Sequence, residues 1–317
     1  MMSLAGCPEQ IRLGITGLTE GNFHPYSWSA IVNGYDKSLM RKRCPVQTIP
    51  DYLDKEPDSS FGIPGVRFTH VHCDDAAHAE AVSQCSLVPN IAEAPGDMIG
   101  KVDAVVIATD IGSEHVRRAR PFVEAGVPLF IDKPLCDNLE DLKIFRSWIE
   151  SGKRILSSSS MRYCKEFQIY HGGPREFGDL KLIGVTMAKK WETYGIHALE
   201  AVYPILGPGF ISAQNTGSYE RNIVHLTHSR GVDVVIACGK GFPCGGVRIS
   251  GTAGEIYVKC HDTFSSFKTQ LLAFVSWLRT GEPPLPFSET DELMRMVIAG
   301  VLSRENSGQK IMLEDLK

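Results

Sequence analysis

No run of apolar residues in this 317-residue chain is longer than a β-strand, so none supplies the roughly 20 residues that a membrane-spanning helix needs. The nine cysteines, at positions 7, 44, 73, 85, 136, 164, 238, 244 and 260, include no C-x-x-C pair. Their odd number and scattered spacing argue against both a disulfide framework and a structural zinc site, so no metal is expected. An excess of positive charge is missing as well. A net charge of −4 and a pI near 6.2 give no electrostatic reason to expect a nucleic acid or an anionic membrane as partner. The densest basic cluster, Arg41, Lys42 and Arg43, reads as a solvated loop. The opening MMSLAGCPEQ has neither a basic n-region nor a long apolar core, so secretion is not expected and a reducing cytoplasm is. Internal repeats and low-complexity tracts are also lacking.

What the chain does have is alternation. Ile11 to Thr16, Val66 to Cys73, Val102 to Ala108, Pro128 to Ile131 and Ile155 to Ser158 read as short strands. VDAVVIA, 102 to 108, is nearly continuous in apolar residues, as parallel strands buried on both faces are. Helices are predicted between them: from about Pro25 to Gly34, over AAHAEAVSQC, and over His115 to Ala125, where Pro121 should kink or split the helix. Leu139 to Ile149 is another, with Leu142, Phe145, Trp148 and Ile149 as its core face. This order implies a doubly wound parallel sheet, an α/β Rossmann domain over 1–158. Residues 35–65 form an insertion or flap in it, with IPDYLDK, 49 to 55, as a short helix. The remainder, 159–317, changes character. Leu182 to Met187, Val224 to Thr227, Val232 to Ala237, Val247 to Ser250 and Glu255 to Lys259 are short strands, and Ile196 to Leu206 is a helix. That is an α+β domain with a mainly antiparallel sheet. Two helices close the chain between 268 and 303, the second capped by Ser288, and they could pack back on the first domain.

Several residues stand where chemistry could be placed. Gly14, Gly17 and Gly21 surround the first strand-to-helix turn in GITGLTEG, a wider spacing than the G-x-G-x-x-G of dinucleotide-binding turns. Taken alone, it is as compatible with a plain glycine turn. Asp74 or Asp75, after the second strand, could hold ribose hydroxyls, or could simply begin a helix favourably. His225 and His228 in HLTH are three apart on a strand and face opposite sides, which argues against a shared metal. LFIDKPL, 129 to 135, ends a buried strand with Asp132, Lys133 and Pro134. The carboxyl end of a parallel strand is where such sheets place ligands, and a lysine there can donate to a substrate oxygen. His197 opens a helix in YGIHALE, where it could serve as an acid or base.

Together and in this order, AGVPLFIDKPL, ATDIGSEH, SSSSMRYCKEF, YGIHALE and the segment from FVSWLRTG to QKIML resemble the glucose-fructose oxidoreductase and inositol dehydrogenase (Gfo/Idh/MocA) family. The hallmarks of that family are an E-K-P at the end of a Rossmann strand and a D-x-G-x-H in the antiparallel-sheet domain. The resemblance implies a nicotinamide-dependent oxidoreductase that moves hydride between NAD or NADP, with NAD favoured, and a hydroxyl or keto group of a sugar, nucleotide sugar or polyol. Carried over by position, Lys133 would bind and polarise the substrate oxygen and His197 would transfer the hydroxyl proton. Asp132, Thr193, Tyr194, Glu200 and Arg162 would support them. Gly14, Gly17, Gly21, Asp74, Thr109 and Pro134 would lie on the cofactor side. A homodimer or homotetramer is the expected assembly.

Two departures accompany the resemblance. Asp132 replaces the usual glutamate, a conservative change. The family's aspartate of D-x-G-x-H falls at Thr193, so Glu200 or the Tyr194 hydroxyl would have to compensate for the lost carboxylate. Two alternatives to an active dehydrogenase follow: a non-catalytic NAD- or sugar-binding regulator of the same fold, and an enzyme that uses transient oxidation for elimination or glycoside cleavage.

Overall fold

The computed structural model describes residues 9–317. Cys7 and the opening segment MMSLAGCP, on which the secretion argument rests, lie outside the described residues. The chain forms two compact units. The first comprises the chain up to Asp132, with Ser147–Ser157 and Phe267–Leu285; the second comprises Lys133–Arg146, Ser158–Ser266 and Pro286–Lys317.

In the first unit β1 (Ile11–Thr16) is followed by α1 (His24–Asn33), α2 (Lys37–Arg43), α3 (Thr48–Leu53), β2 (Val66–His72), α4 (Ala76–Cys85), β3 (Asn90–Ile91), β4 (Ala104–Ile107), α5 (His115–Glu124) and β5 (Leu129–Ile131). Then come α6 (Leu139–Glu150), of which the part up to Arg146 belongs to the second unit, and β6 (Ile155–Ser157). All six strands are parallel, in the order β3-β2-β1-β4-β5-β6, the doubly wound order in which the strand sequence reverses beside β1. Burial explains the strands. Ile11, Leu13 and Ile15 are fully buried while Arg12 points out and pairs with Asp103 at 2.9 Å, and every residue of β4 is buried. α4 starts because Asp75 accepts the amide hydrogen of Ala77 at 2.8 Å, an N-cap bond.

Several local expectations are corrected. Arg41, Lys42 and Arg43 are not in a loop. They form the last turn of α2, where cations complement the helix dipole, and Arg41 pairs with Asp51 and Asp54, each at 2.6 Å. Only Met40 of α2 is buried, so the helix has no apolar stripe to announce it. Pro121 lies inside α5 without splitting it. On α6 only Leu142 and Phe145 are buried; Trp148 instead sits under the Arg120 guanidinium, 5.4 Å from the ring centroid.

The second unit contains α7 (Lys165–Gln168), β7 (Leu180–Met187), α8 (Ile196–Leu206), β8 (Phe210–Asn215), β9 (Arg221–His228), β10 (Val232–Gly239), β11 (Gly246–Gly251) and β12 (Glu255–Lys259). α9 (Thr263–Thr280), which from Phe267 onward belongs to the first unit, α10 (Phe287–Glu305) and β13 (Ile311–Met312) complete the chain. The seven strands run β12-β11-β7-β10-β9-β8-β13, antiparallel except for the β7–β10 pair. The strand β8 was not anticipated, because FISAQN is too mixed to show a period; β13 is the closing strand that the likeness of QKIML to the family implied. Ser288 is not a cap: α10 begins at Phe287, and Ser288 falls inside its first turn. The alternating burial of β9 and β10 places Val224, Leu226, Val234 and Ile236 inward, while Ile223, Val235 and Tyr257 stay exposed on the sheet.

Candidate active site

In the first unit the ends of β1, β2, β4 and β5 meet around one turn. Gly17 follows β1 directly; its amide donates to His72 O at 3.0 Å, and Ala108 N donates to Thr16 O at 2.8 Å. Gly17 has φ +82°, and a Cβ there would stand 2.7 Å from Thr109 Cγ2. Only glycine satisfies both conditions. Gly21, also at φ +82°, lies in the same turn. Gly14 does not: it sits within β1 against Met98. Counted from the turn itself, the positions of a G-x-G-x-x-G are 17, 19 and 22, here Gly, Thr and Asn.

Asn22 and Thr19 take up the roles of the missing glycines as hydrogen-bonding residues. Asn22 Nδ2 donates to the buried Asp132 at 2.8 Å, and Asp110 N donates to Thr19 Oγ1 at 3.2 Å. His24 Nε2 stands 3.6 Å from Asp132. Thr109 is buried, and its hydroxyl and carbonyl hydrogen-bond His115 Nε2 at 3.1 and 3.0 Å. Asp74, placed by sequence for ribose, receives both Arg118 Nη groups at 2.6 and 3.1 Å. Those bonds hold its carboxyl below the ordinary aspartate range against the opposing effect of burial. Arg118 is itself fixed by Glu114 at 2.8 Å and comes within 3.7 Å of a Cβ built on Gly17. Sequence reasoning missed Arg118, and only the charge-dense EHVRRAR pointed toward it.

The second unit assembles the other group. Lys133, joined to Pro134 by a cis peptide, is buried, and its Nζ lies 5.3 Å from the Tyr194 ring centroid. Tyr194 meets His197 edge to face at 4.9 Å. His197 Nδ1 hydrogen-bonds Ser159 Oγ at 2.6 Å, and Ser159 Oγ accepts from Met161 N at 3.1 Å. Ser159 was not singled out in the sequence, where it is one of four consecutive serines. Glu200 is fully buried, accepting from Ser159 N at 3.1 Å and from Arg162 Nε. Burial pushes its carboxyl up, opposed by the Arg162 charge. Arg162 also donates to Glu289 at 2.8 Å, so it is held between two carboxylates. Burial alone would lower its pKa, but the two carboxylates outweigh that and keep it charged.

Thr193, Tyr194 and His197 owe their placement to a wide π-helical turn, Trp191–Gly195, leading into α8. Trp191 is fully buried and donates Nε1 to Val297 O at 2.9 Å. A Cβ on Gly195 would stand 2.5 Å from its ring, so glycine is required for the turn to close on the indole. Pocket-lining Thr193 offers a hydroxyl where the family pattern has a carboxylate.

Elsewhere in this unit Cys164 Sγ donates to Glu166 Oε2 at 2.9 Å. With Cys260 they form a group whose ligand-type atoms lie within 4.8 Å of one another. Glu166 also accepts His261 N at 3.1 Å, so the group is hydrogen-bonded within itself. The eight described cysteines form no disulfide. His225 pairs with Asp233 at 2.7 Å, and His228 bonds the Pro208 carbonyl at 3.1 Å, so the two histidines have separate partners. No helix among the described residues is long and apolar enough to cross a membrane.

A six-stranded parallel sheet with a glycine turn at its reversal, followed by a unit built on a mostly antiparallel sheet, defines a Rossmann-type two-sheet architecture. Residues 50–159 match the GFO_IDH_MocA family, described as an oxidoreductase family with an NAD-binding Rossmann fold. That segment is similar to the NAD-binding domain of this oxidoreductase family. The fold extends over the whole chain in solved structures. Myo-inositol 2-dehydrogenase from Lactobacillus plantarum is 16% identical with a TM-score of 0.74, covering 96% of this chain and 99% of that one. A putative myo-inositol dehydrogenase from Sinorhizobium meliloti 1021 is 15% identical with a TM-score of 0.73, over 96% of this chain and 100% of that one. An oxidoreductase from Agrobacterium radiobacter, in complex with NAD+, L-tartaric acid and magnesium, is 14% identical with a TM-score of 0.74, over 97% of this chain and 100% of that one. No curated protein sequence matches the chain.

Proposed function

We propose that the protein interconverts a hydroxyl and a keto group on a sugar, nucleotide sugar or polyol, with Lys133 and His197 as its catalytic residues and NAD as the favoured cofactor. The observation that carries this reading is the arrangement of Lys133, Tyr194 and His197 in one unit, with Ser159 fastened to His197 Nδ1 at 2.6 Å.

The turn at Gly17 and Gly21 suits a dinucleotide, because it stands between the carboxyl end of β1 and the start of α1, beside the reversal of strand order. Asp74 and Arg118 would meet the adenosine ribose. When bound, the nicotinamide supplies the hydride acceptor or donor. Lys133 would donate a charge-assisted hydrogen bond to the reacting oxygen and stabilise negative charge that develops there. His197 Nε2 would take the hydroxyl proton during oxidation and return it during reduction. Ser159 acts through His197 as a positioning residue. Because its oxygen already accepts from Met161 N, its hydrogen can turn toward Nδ1 or away, so it can support either ring tautomer. Glu200 orients Ser159 through the backbone amide rather than standing in for the aspartate missing at Thr193. That missing carboxylate is the observation favouring a non-catalytic, ligand-binding regulator as the second reading. Dimer or tetramer formation through the open sheet face is part of the proposal, supported by exposed Ile223, Val235 and Tyr257.

A titration with NAD and NADP, followed by nicotinamide absorbance measurements over a panel of sugars, nucleotide sugars and polyols, tests the reading. Lys133→Ala is expected to abolish turnover with cofactor binding retained, and His197→Ala to lower kcat more than it raises KM. Near-normal turnover by Lys133→Ala would overturn the catalytic assignment. Tight cofactor binding with no turnover on any substrate would favour the regulator.

A further inference from the structure

A cavity of about 450 Å³ in the second unit is lined by Lys189, Lys190, Thr193, Tyr219, Glu220 and Lys240. That is an ordinary size for a small-molecule site. Three lysines and one glutamate are among its lining residues. Glu192, the nearest other carboxylate in sequence, pairs with Arg304 and, with Glu220, also acts on Lys190. Lys189, on the cavity wall, shares Tyr194 as a neighbour with the proposed catalytic lysine: Lys189 Nζ lies 4.4 Å from that ring centroid and Lys133 Nζ 5.3 Å from the same one. Thr193, whose position in the family pattern belongs to an aspartate, lines the same wall.

Lys189 also carries a backbone signal. Its φ is +61°, a left-handed conformation that is unfavourable for a long L side chain. Such strain persists where the surrounding structure imposes it, and it concentrates at ligand-contacting positions. The strained residue follows β7 after Ala188, and Lys190 beside it donates to Tyr219 Oη at 2.6 Å.

We infer that the substrate carries a negatively charged group, a carboxylate or a phosphate, held by Lys189 and Lys190 with Lys240 opposite, beside the carbon whose hydroxyl reacts. The exchange of an acid for Thr193 is then part of the same specificity: an aspartate there would repel the anion that the lysines attract. This inference rests on the oxidoreductase reading of the Lys133 and His197 site, and it narrows the substrate from any polyol to an acidic sugar or a sugar phosphate.

The test measures binding, not turnover, so that it can fail separately from the catalytic reading. Protein saturated with NAD is titrated calorimetrically with glucose, glucuronate and glucose 6-phosphate at low and high salt, and with myo-inositol as a neutral polyol. At least one anionic probe is expected to bind tenfold or more tightly than its neutral counterpart, with the advantage shrinking as salt rises. Lys189→Gly relieves the left-handed strain, so its melting temperature should equal or exceed that of the parent; combined with Lys190→Met, it should reduce the anion preference to less than threefold. Neutral probes binding as well as charged ones would overturn the inference, as would binding by none of the four or a preference that survives in the double variant. Loss of the preference with dinucleotide binding intact supports it, whatever the turnover. Failure to bind NAD at all would instead remove the oxidoreductase reading on which it rests.

Discussion

Replacing Gly17 by alanine tests the cofactor turn most directly, because two separate costs can be assigned to one methyl group. The first is conformational: φ at 17 is +82°, and an L residue held there loses roughly 1–2 kcal/mol. The second is steric, since the new Cβ would stand 2.7 Å from Thr109 Cγ2. Thr109 is buried and its hydroxyl is tied to His115, so it cannot swing aside cheaply, and overpacking of this kind costs about 1–3 kcal/mol. Some of the total will appear as lost stability and some as lost affinity, because the turn that must relax is the one proposed to hold the dinucleotide. Urea unfolding and an NAD fluorescence titration on the same samples separate the two. Thr109→Ser removes Cγ2 and keeps the hydroxyl. The pair Gly17→Ala with Thr109→Ser should therefore recover the steric part of the loss and leave the conformational part, a coupling readable in a double-mutant cycle. If Gly17→Ala binds NAD like the parent protein, or if Thr109→Ser recovers nothing, the turn does not do what its geometry implies.

Three further outcomes are expected. Ser159→Ala should reduce kcat about tenfold with little change in substrate KM, since one hydrogen bond to His197 is worth about 1–1.5 kcal/mol; its kcat–pH profile should move as well, and an unmoved profile would make Ser159 merely structural. Arg118→Met, which strips the cation from Asp74, should raise the Kd for NADP roughly tenfold or more and that for NAD much less, because a bare carboxylate repels a 2′-phosphate; equal effects on both cofactors would refute that. Burial lowers the pKa values of His70, His72 and His171 below the ordinary imidazole value. With the folded values below the unfolded ones, their contribution to stability is fully present above about pH 6.5 and is lost as pH falls through the folded values. Asp74 and Asp103, whose values are lowered, keep their contributions until pH falls well below this window. The urea midpoint should therefore be lower at pH 5.5 than at pH 7.5, and a flat or rising profile toward acid would contradict the burial of these rings.

Most of the Rossmann half was legible because its signals are local. Alternating apolar strands and helices need no partner to be recognised, and IDKPL and YGIHALE carry their character within a few residues. What escaped was of two kinds. Contacts between distant segments left no trace: Ser159 meets His197 across 38 positions and Arg118 meets Asp74 across 44, and neither serine nor arginine was unusual in its own neighbourhood. Elements without an amphipathic pattern escaped as well. α2 buries a single side chain, so its basic last turn looked like a loop, and Ser288 looked like a cap only because the helix start was placed two residues late. Pro121 does not split α5, which runs through it. At the turn after β1, counting glycines from Gly14 hid the fact that the chain substitutes Thr19 and Asn22 for two of them and anchors the turn by side-chain hydrogen bonds.

The left-handed lysine at 189 also bears on how this protein would respond to laboratory evolution. A screen for heat resistance alone would meet position 189 early, because glycine there removes an unfavourable backbone conformation at no cost in buried contacts. A screen on catalysis would restore the lysine. Position 189 is therefore where selection for durability and selection for substrate choice should pull the chain in opposite directions, and thermostable variants recovered without a substrate in the assay should be enriched in losses there.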